Sequence, residues 1–392
     1  MLIHWIWFAQ LQGMSQRQKM NLLRQGAEPE DLYHAQSAEL EHMEGLTADE
    51  WKALSQKDLN EARQISENCR KNEIGILTFQ DAAYPDRLRN VEDGPVLLYY
   101  RGTFPDLEAQ PVIAMVGTRK ATPYGIRATR SVAGQIAACG GLVVSGGAAG
   151  VDTAAMEAAL AAGCRTVGVL GCGVDVVYPA SNRKLFADVA SKGCLISEYP
   201  PGERPEPWHF PQRNRILSGI SHGVLLVEAP KKSGALITAR CALDQGRDVF
   251  VVPGNIDSAA CEGSNELLLD GAQPVMTGWQ LLQSYSAQFP DTVARREIPA
   301  APNQEAENSK PDKKDIDNPA DQPYDCMMDR LKDLTPEEQA LMSLLGAEPI
   351  LLDELIAKSQ LPAAKVLSMT TLLSMNGLVV MHPGRRISAN IE

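Results

Sequence analysis

From Val112 to Gly163 the chain alternates unbroken apolar runs with stretches of helical period. Val112-Ile113-Ala114-Met115-Val116 ends at Gly117-Thr118-Arg119. Thr122 then offers an N-cap, Pro123 suits a first helical turn, and Gly140-Gly141 stops the helix. Ile126, Ala133, Ile136 and Ala137 share one face of it. A second run, Leu142-Val143-Val144, breaks into Ser145-Gly146-Gly147-Ala148-Ala149-Gly150-Val151-Asp152, where Asp152 can cap an Ala-rich helix ending near Gly163. The pattern is βαβα, and right-handed connection makes its strands parallel. It predicts two helix N-termini at one sheet edge, with free backbone N–H groups and aligned dipoles that attract phosphate. Arg119 adds a cation there.

Further apolar runs follow at α/β spacing: Thr166–Leu170, Cys194–Ser197, Gly223–Val227 and Asp248–Val252. Runs this continuous belong to strands covered on both faces. Ile74–Thr78 and Val96–Tyr100 read as strands extending the same sheet. A helix beginning near Ala235 precedes the last run, and the domain closes near Gln283. The fold class is therefore α/β, with a doubly wound, mostly parallel sheet over residues 74–290.

The flanks differ. Residues 1–70 read as a helical, helix-hairpin-helix-like domain, with turns at Gln10–Ser15 and Met43–Thr47. Glu39, Glu41, Glu44, Asp49 and Glu50 crowd the second turn and would repel phosphate, so a structural or protein-contact role is expected. Residues 291–325 lose their apolar positions and gain prolines, which predicts a disordered linker. Residues 326–392 read as a small winged helix: a capping box at Thr335–Glu338, helices near Leu351–Lys358 and Pro362–Met375, and a terminal hairpin. Lys365 is the only cation of its candidate recognition helix, which favours protein contact over DNA contact.

The net charge of −12 argues against a generic nucleic-acid binder, but residues 101–290 carry 16 basic and 16 acidic side chains. The acidic excess lies in the flanks, and a local basic groove remains compatible with the total. The eight cysteines are dispersed, without C-x-x-C pairs or a cysteine–histidine cluster, so a reduced cytoplasmic protein without structural metal is expected. The opening apolar segment lacks both a basic lead and a membrane-spanning length.

Candidate chemistry gathers at the C-terminal ends of the strands. Neither G-x-G-x-x-G after the first strand nor a Walker A stretch is present, so dinucleotide and ATP sites lack their signatures. Phe210-Pro211-Gln212-Arg213-Asn214-Arg215 sets a ring beside two arginines, and Lys232-Ser233-Gly234 follows the run 223–227. Rings and cations at such an edge suit single-stranded nucleic acid, where bases stack and the backbone needs countercharge. Core packing is the alternative for Phe210, and ion pairing with an acid such as Glu228 is the alternative for Arg213 and Arg215. No catalytic set emerges: Ser145 lacks a base, His209 and His222 lack a carboxylate or metal partner, and Glu198 stands alone.

The chain resembles the DNA-processing protein A (DprA/Smf) family over about 90–290. The resemblance rests on VGTR (116–119), SGGAAGVDTAAMEAAL (145–160), VLGCGVDVVYPASN (169–182), SEYPPG (197–202) and FPQRNRILSG (210–219). It continues through LLVEA (225–229), KSGALITARCALDQGR (232–247), VFVVPGN (249–255) and GSNELLLDGA (263–272). Met156 stands where a histidine is usual. The resemblance implies an extended Rossmann-like domain that binds single-stranded DNA during natural transformation. It further implies that the protein protects incoming DNA and helps load the RecA recombinase, often as a homodimer, without catalytic activity or cofactor. By motif, Thr118, Arg119, Phe210 and Lys232 would contact DNA, with Arg213 and Arg215 as further candidates. Gly117, Ser145, Gly146, Gly147, Gly150 and Gly234 would support the turns. The rival is a related hydrolase of nucleoside monophosphates, whose P-G-G-x-G-T stretch is absent.

Overall fold

The computed structural model describes residues 2–36, 46–296, 340–342, 344–346, 349–359, 361–375, 378–382 and 386–389. By contact the chain divides into two compact units, Met1–Glu305 and Ala306–Glu392, considered separately below. Among the described residues no helix is long and apolar enough to cross a membrane. Most of the segment 291–325 and the capping box at Thr335–Glu338 lie outside the described residues.

The first unit opens with helices α1 (Leu2–Gln10), α2 (Gln16–Arg24), α3 (Pro29–His34), α4 (Ala48–Leu54) and α5 (Asn60–Lys71). Trp5, Ile6, Phe8, Met20, Leu22 and Leu54 are buried in one cluster that also takes in Val96, Leu97 and Tyr99, so helices and sheet share a core. The turn between α1 and α2 is braced from within. Lys19 is buried, and its ammonium donates to the carbonyls of Ala9 at 2.7 Å and Leu11 at 2.9 Å. These charge-assisted bonds close the C-terminal end of α1, while burial pulls the Lys19 pKa down to about 8. Of the second hairpin-like turn, residues 43–45 lie outside the described residues; Thr47 and Glu50 form a capping box that starts α4.

The sheet has nine strands in the order β1-β2-β6-β5-β4-β3-β7-β8-β9. Their ranges are β1 Gly75–Thr78, β2 Leu97–Gly102, β3 Val112–Val116, β4 Leu142–Ser145, β5 Thr166–Val169, β6 Cys194–Ser197, β7 Gly223–Leu226, β8 Asp248–Val251 and β9 Gln273–Pro274. The stretch from β6 to β9 is parallel. The two early strands extend the sheet as expected, but at the antiparallel edge, where β2 pairs with β6 and not with β3. The apolar runs are explained by burial on both faces. Val112, Ala114 and Val116 point into one core with Ile216, Leu217 and Ala239. Ile113 and Met115 point into the opposite core with Val132, Ile136 and Phe250. That second core continues through Tyr285, Phe289 and Val293, beyond the expected end near Gln283.

Helices α6 (Asp86–Arg89), α7 (Pro123–Ala138), α8 (Val151–Ala161), α9 (Arg183–Lys192), α10 (His209–Gly219), α11 (Gly234–Asp244), α12 (Glu262–Leu269) and α13 (Gly278–Gln283) accompany the strands. Two solitary-looking histidines have structural places. His222 accepts the Val112 N–H through Nδ1 at 2.9 Å, and burial drives its pKa down to about 3. His209 is buried, with its ring centroid 3.9 Å from that of Tyr199. Met156 is fully buried beside Leu170, Phe186 and Leu195.

The second unit contains β10 (Ile350–Leu351), α14 (Leu352–Ser359), α15 (Ala363–Met375), β11 (Val379–His382) and β12 (Arg386–Ala389). Strands β11 and β12 form the expected hairpin, and β10 adds a third strand beside β12. Leu352, Leu355, Val366, Leu373 and Ile387 fill its core.

Candidate nucleic-acid interface

From β3 the chain winds outward through β4, β5 and β6, then returns so that β7 pairs with β3 and winding continues the other way. The loops after β3 and β7 therefore diverge, and a crevice opens at the C-terminal ends of these strands, where doubly wound sheets hold ligands. The loop after β3 carries Thr118, Arg119 and Lys120; the loop after β7 carries Lys232 and Ser233. A cleft of about 570 Å3 lies there, lined by these residues and by Phe210, Pro211 and Arg213.

The expectation of two open helix N-termini needs correction, because both starts already hold a buried carboxylate. At α7, Thr122 is the N-cap, and its hydroxyl accepts the Gly125 N–H at 3.1 Å. Glu228, fully buried at the end of β7, accepts the Thr122 N–H at 2.8 Å and the Thr122 hydroxyl at 2.5 Å. At α8 the N-cap is Gly150, not Asp152. Gly150 has φ +82°, a left-handed conformation that glycine adopts without penalty. Asp152 lies in the first helical turn and reaches back to accept the Ala148 N–H at 3.3 Å. Burial raises its pKa to about 6, against the opposing charge of Arg213. The positive ends of the two dipoles thus face protein carboxylates, and countercharge for a bound backbone falls to side-chain cations.

Those cations stand in the open. Arg119 is exposed, and its guanidinium carbon lies 5.3 Å from the Phe210 ring centroid, a cation–π distance. Phe210 is half-buried in the first turn of α10, with the Tyr178 ring 5.5 Å away and backbone beneath it at Gly171. Lys232 is exposed one residue before Ser233, whose hydroxyl caps α11 by accepting the Ala235 N–H at 3.2 Å. Its neighbour Lys231 is engaged by Glu262 at 2.8 Å and Glu266 at 3.2 Å, so the two lysines are not equivalent. Thr118 is half-buried, and its N–H donates to the Glu228 carbonyl at 2.7 Å, tying the two loops together.

Arg213 and Arg215 both have partners inside the protein. Arg213 is buried and donates to the carbonyls of Gly146, at 2.6 Å, and Val169, so it clips the glycine turn to β5. A Cβ at Gly146 would sit 2.5 Å from its guanidinium, which is why that turn needs glycine. Arg215 is buried and paired with Glu198 at 2.5 Å and Asp93 at 3.5 Å. The acid that receives it is therefore Glu198, which does not stand alone, while Glu228 serves α7. Ser145 donates to the Met115 carbonyl at 2.7 Å, locking β4 to β3. Gly117 packs against Val151, Gly147 has φ +70°, and Gly234 faces open space, so nothing around Gly234 demands the missing side chain.

Sequence reasoning overlooked Tyr178 and Lys120 as cleft residues. Tyr178 lies within the quoted stretch 169–182 as an aromatic between valine and proline, a signal that only its place beside Phe210 makes meaningful.

Comparison with known proteins agrees with this architecture. A family model described as DNA recombination-mediator protein A matches residues 75–286, and one described as DprA winged helix domain matches residues 328–385. Protein Smf of Synechocystis sp. is 33% identical over 391 residues, spanning 98% of this chain and 97% of its own. DNA processing protein DprA of Streptococcus pneumoniae is 41% identical over 205 residues, spanning 52% of this chain and 72% of its own. The X-ray structure of DNA processing protein A from Streptococcus pneumoniae superposes with a TM-score of 0.64 at 32% identity, covering 72% of this chain and 98% of that one. The structure of DNA processing protein A from Helicobacter pylori, described as revealing a single-stranded DNA binding mode, superposes with a TM-score of 0.50 at 32% identity over 54% of this chain and 96% of that one. With the fold, the motif order and these matches in agreement, the chain belongs to the DNA recombination-mediator protein A family, DprA/Smf.

Proposed function

We propose that this protein binds single-stranded DNA in the cleft between β3 and β7 during natural transformation, protecting the incoming strand in the cytoplasm and helping to load the RecA recombinase. The observation that carries this reading is the open pairing of Arg119 with the Phe210 ring, and Lys232 on the other side of the same cleft. A flexible strand offers phosphates to the two cations and a base face to the ring. Thr118 shapes the loop that presents Arg119. Arg213 and Arg215 brace the scaffold from inside. The reading is non-catalytic, and Glu228 and Asp152 serve as hydrogen-bond acceptors at two helix starts.

A mobility-shift titration with single- and double-stranded oligonucleotides over a salt series tests the proposal. Preference for the single strand is expected. Arg119→Ala and Lys232→Ala should each weaken binding similarly for all base compositions, and each should lower the log–log salt slope by about 0.7. Folded variants with unchanged slopes would remove both residues from the site. Release of free base from nucleoside monophosphates would instead favour the hydrolase reading.

The active form is a homodimer. Leu269 and Met276, 89% and 70% exposed, flank the edge strand β9 and supply apolar surface for a second copy. Sedimentation of the chain alone, of Leu269→Glu, and of the chain with RecA checks both partners. A monomeric wild type at micromolar concentration, or no co-sedimentation with RecA on single-stranded DNA, would reject the corresponding partner.

A further inference from the structure

Away from the cleft, the packing of α1 against α3 brings together three side chains that the DNA-binding reading does not use. His4 is 8% exposed on α1, while Glu30 and His34 lie one turn apart on α3. Residues four apart on a helix share a face, and here that face meets His4. One ligand atom from each of the three lies within 4.8 Å of the others. His4 Nδ1 is buried without a hydrogen-bond partner; its nearest acid, Glu30 Oε1, stands 3.6 Å away, beyond hydrogen-bond range. The Tyr33 ring stacks on His4 at 4.8 Å between centroids, and the His34 ring meets it edge-on at 5.6 Å, so the imidazole is held in orientation.

We propose that His4, Glu30 and His34 form a binding site for a divalent transition ion of zinc type, which ties α1 to α3. Two imidazoles and one carboxylate are the donor set that such borderline ions prefer, and three protein ligands leave a fourth position for water. Zinc–ligand bonds of about 2.0–2.2 Å place neighbouring donor atoms roughly 3.2–3.6 Å apart. His4 and Glu30 already meet that spacing. His34 is exposed, and its ligand atom lies within 4.8 Å of the other two. The expectation of no structural metal rested on the dispersed cysteines, and a site of two histidines and a glutamate uses none of them.

The test uses the full chain, stripped with chelator and titrated with zinc chloride or, for spectroscopy, cobalt(II) chloride. One ion per chain should bind saturably. Cobalt should give visible d–d absorption of a low-coordinate nitrogen–oxygen site without a thiolate charge-transfer band, which distinguishes it from ions held by the free cysteines. Glu30→Gln and His34→Ala leave the buried His4 in place and should fold. Each removes a direct ligand, so affinity should fall by more than the roughly 10–100-fold that loss of an outer-shell partner costs. Zinc should raise the unfolding midpoint of the wild type and not of His34→Ala. Absence of saturable binding, a thiolate band, or wild-type affinity in either variant would overturn the proposal.

Discussion

Arg215→Ala should lower the stability of the first unit by about 3–5 kcal/mol while leaving single-strand affinity per folded molecule unchanged. The reason is the company that Arg215 keeps. Its side chain and that of Glu198 are 9% and 7% exposed and lie 2.5 Å apart, with Asp93 at 3.5 Å. Burial opposes the guanidinium charge, but the two carboxylates outweigh that cost and raise its pKa. Truncating the arginine leaves the Glu198 carboxyl buried and without its partner, which is the expensive outcome; the lost attraction itself is the smaller part. A double variant, Glu198→Leu with Arg215→Met, removes both charges and should recover most of the loss. Arg119→Ala, made on an exposed side chain, should change stability by no more than about 0.5 kcal/mol. Chemical denaturation of the four proteins beside DNA titrations decides the matter. A stable Arg215→Ala protein that no longer binds DNA would return this arginine to the interface.

Phe210→Ala should show the opposite pattern, losing roughly 1–3 kcal/mol of single-strand binding. Its stability loss should fall well short of the about 3–5 kcal/mol of a core truncation. Phe210 is half-buried at the mouth of α10, seated on Gly171 and flanked by Tyr178. One side of the ring is covered by protein, while the rest faces the cleft beneath Arg119. A base entering the cleft meets this ring and the guanidinium together, so removing the ring also deprives Arg119 of its platform. Phe210→Trp should keep the affinity, since an open site accepts a larger ring that a closed core would not. The decisive comparison is a denaturation curve and a binding titration on one Phe210→Ala preparation; lost stability with intact affinity would sink the stacking assignment.

Much of this protein follows from local pattern alone. Unbroken runs such as Val112–Val116 and Gly223–Leu226 identify strands buried on both faces, because a half-exposed strand would alternate. Thr122 and Pro123 announce the start of α7, since capping and a fixed φ are properties of neighbouring residues. Arg119 and Lys232 stand out in sequence by their places after strands, and Phe210 by its motif, as candidates for contact. Tertiary structure decided what each charge does. Lys231 and Lys232 are neighbours in sequence, yet only Lys231 meets Glu262 and Glu266. Arg213 and Arg215 share a motif with Phe210, but they lie on α10 where it faces Gly146 and Glu198. Glu228 ends up at a helix start expected to be open to phosphate, and Asp152, expected as a cap, acts from the first turn of α8. Electrostatic roles depend on partners far away in sequence and on burial, which no local window contains; strand and helix formation depends on periodicity and caps, which it does.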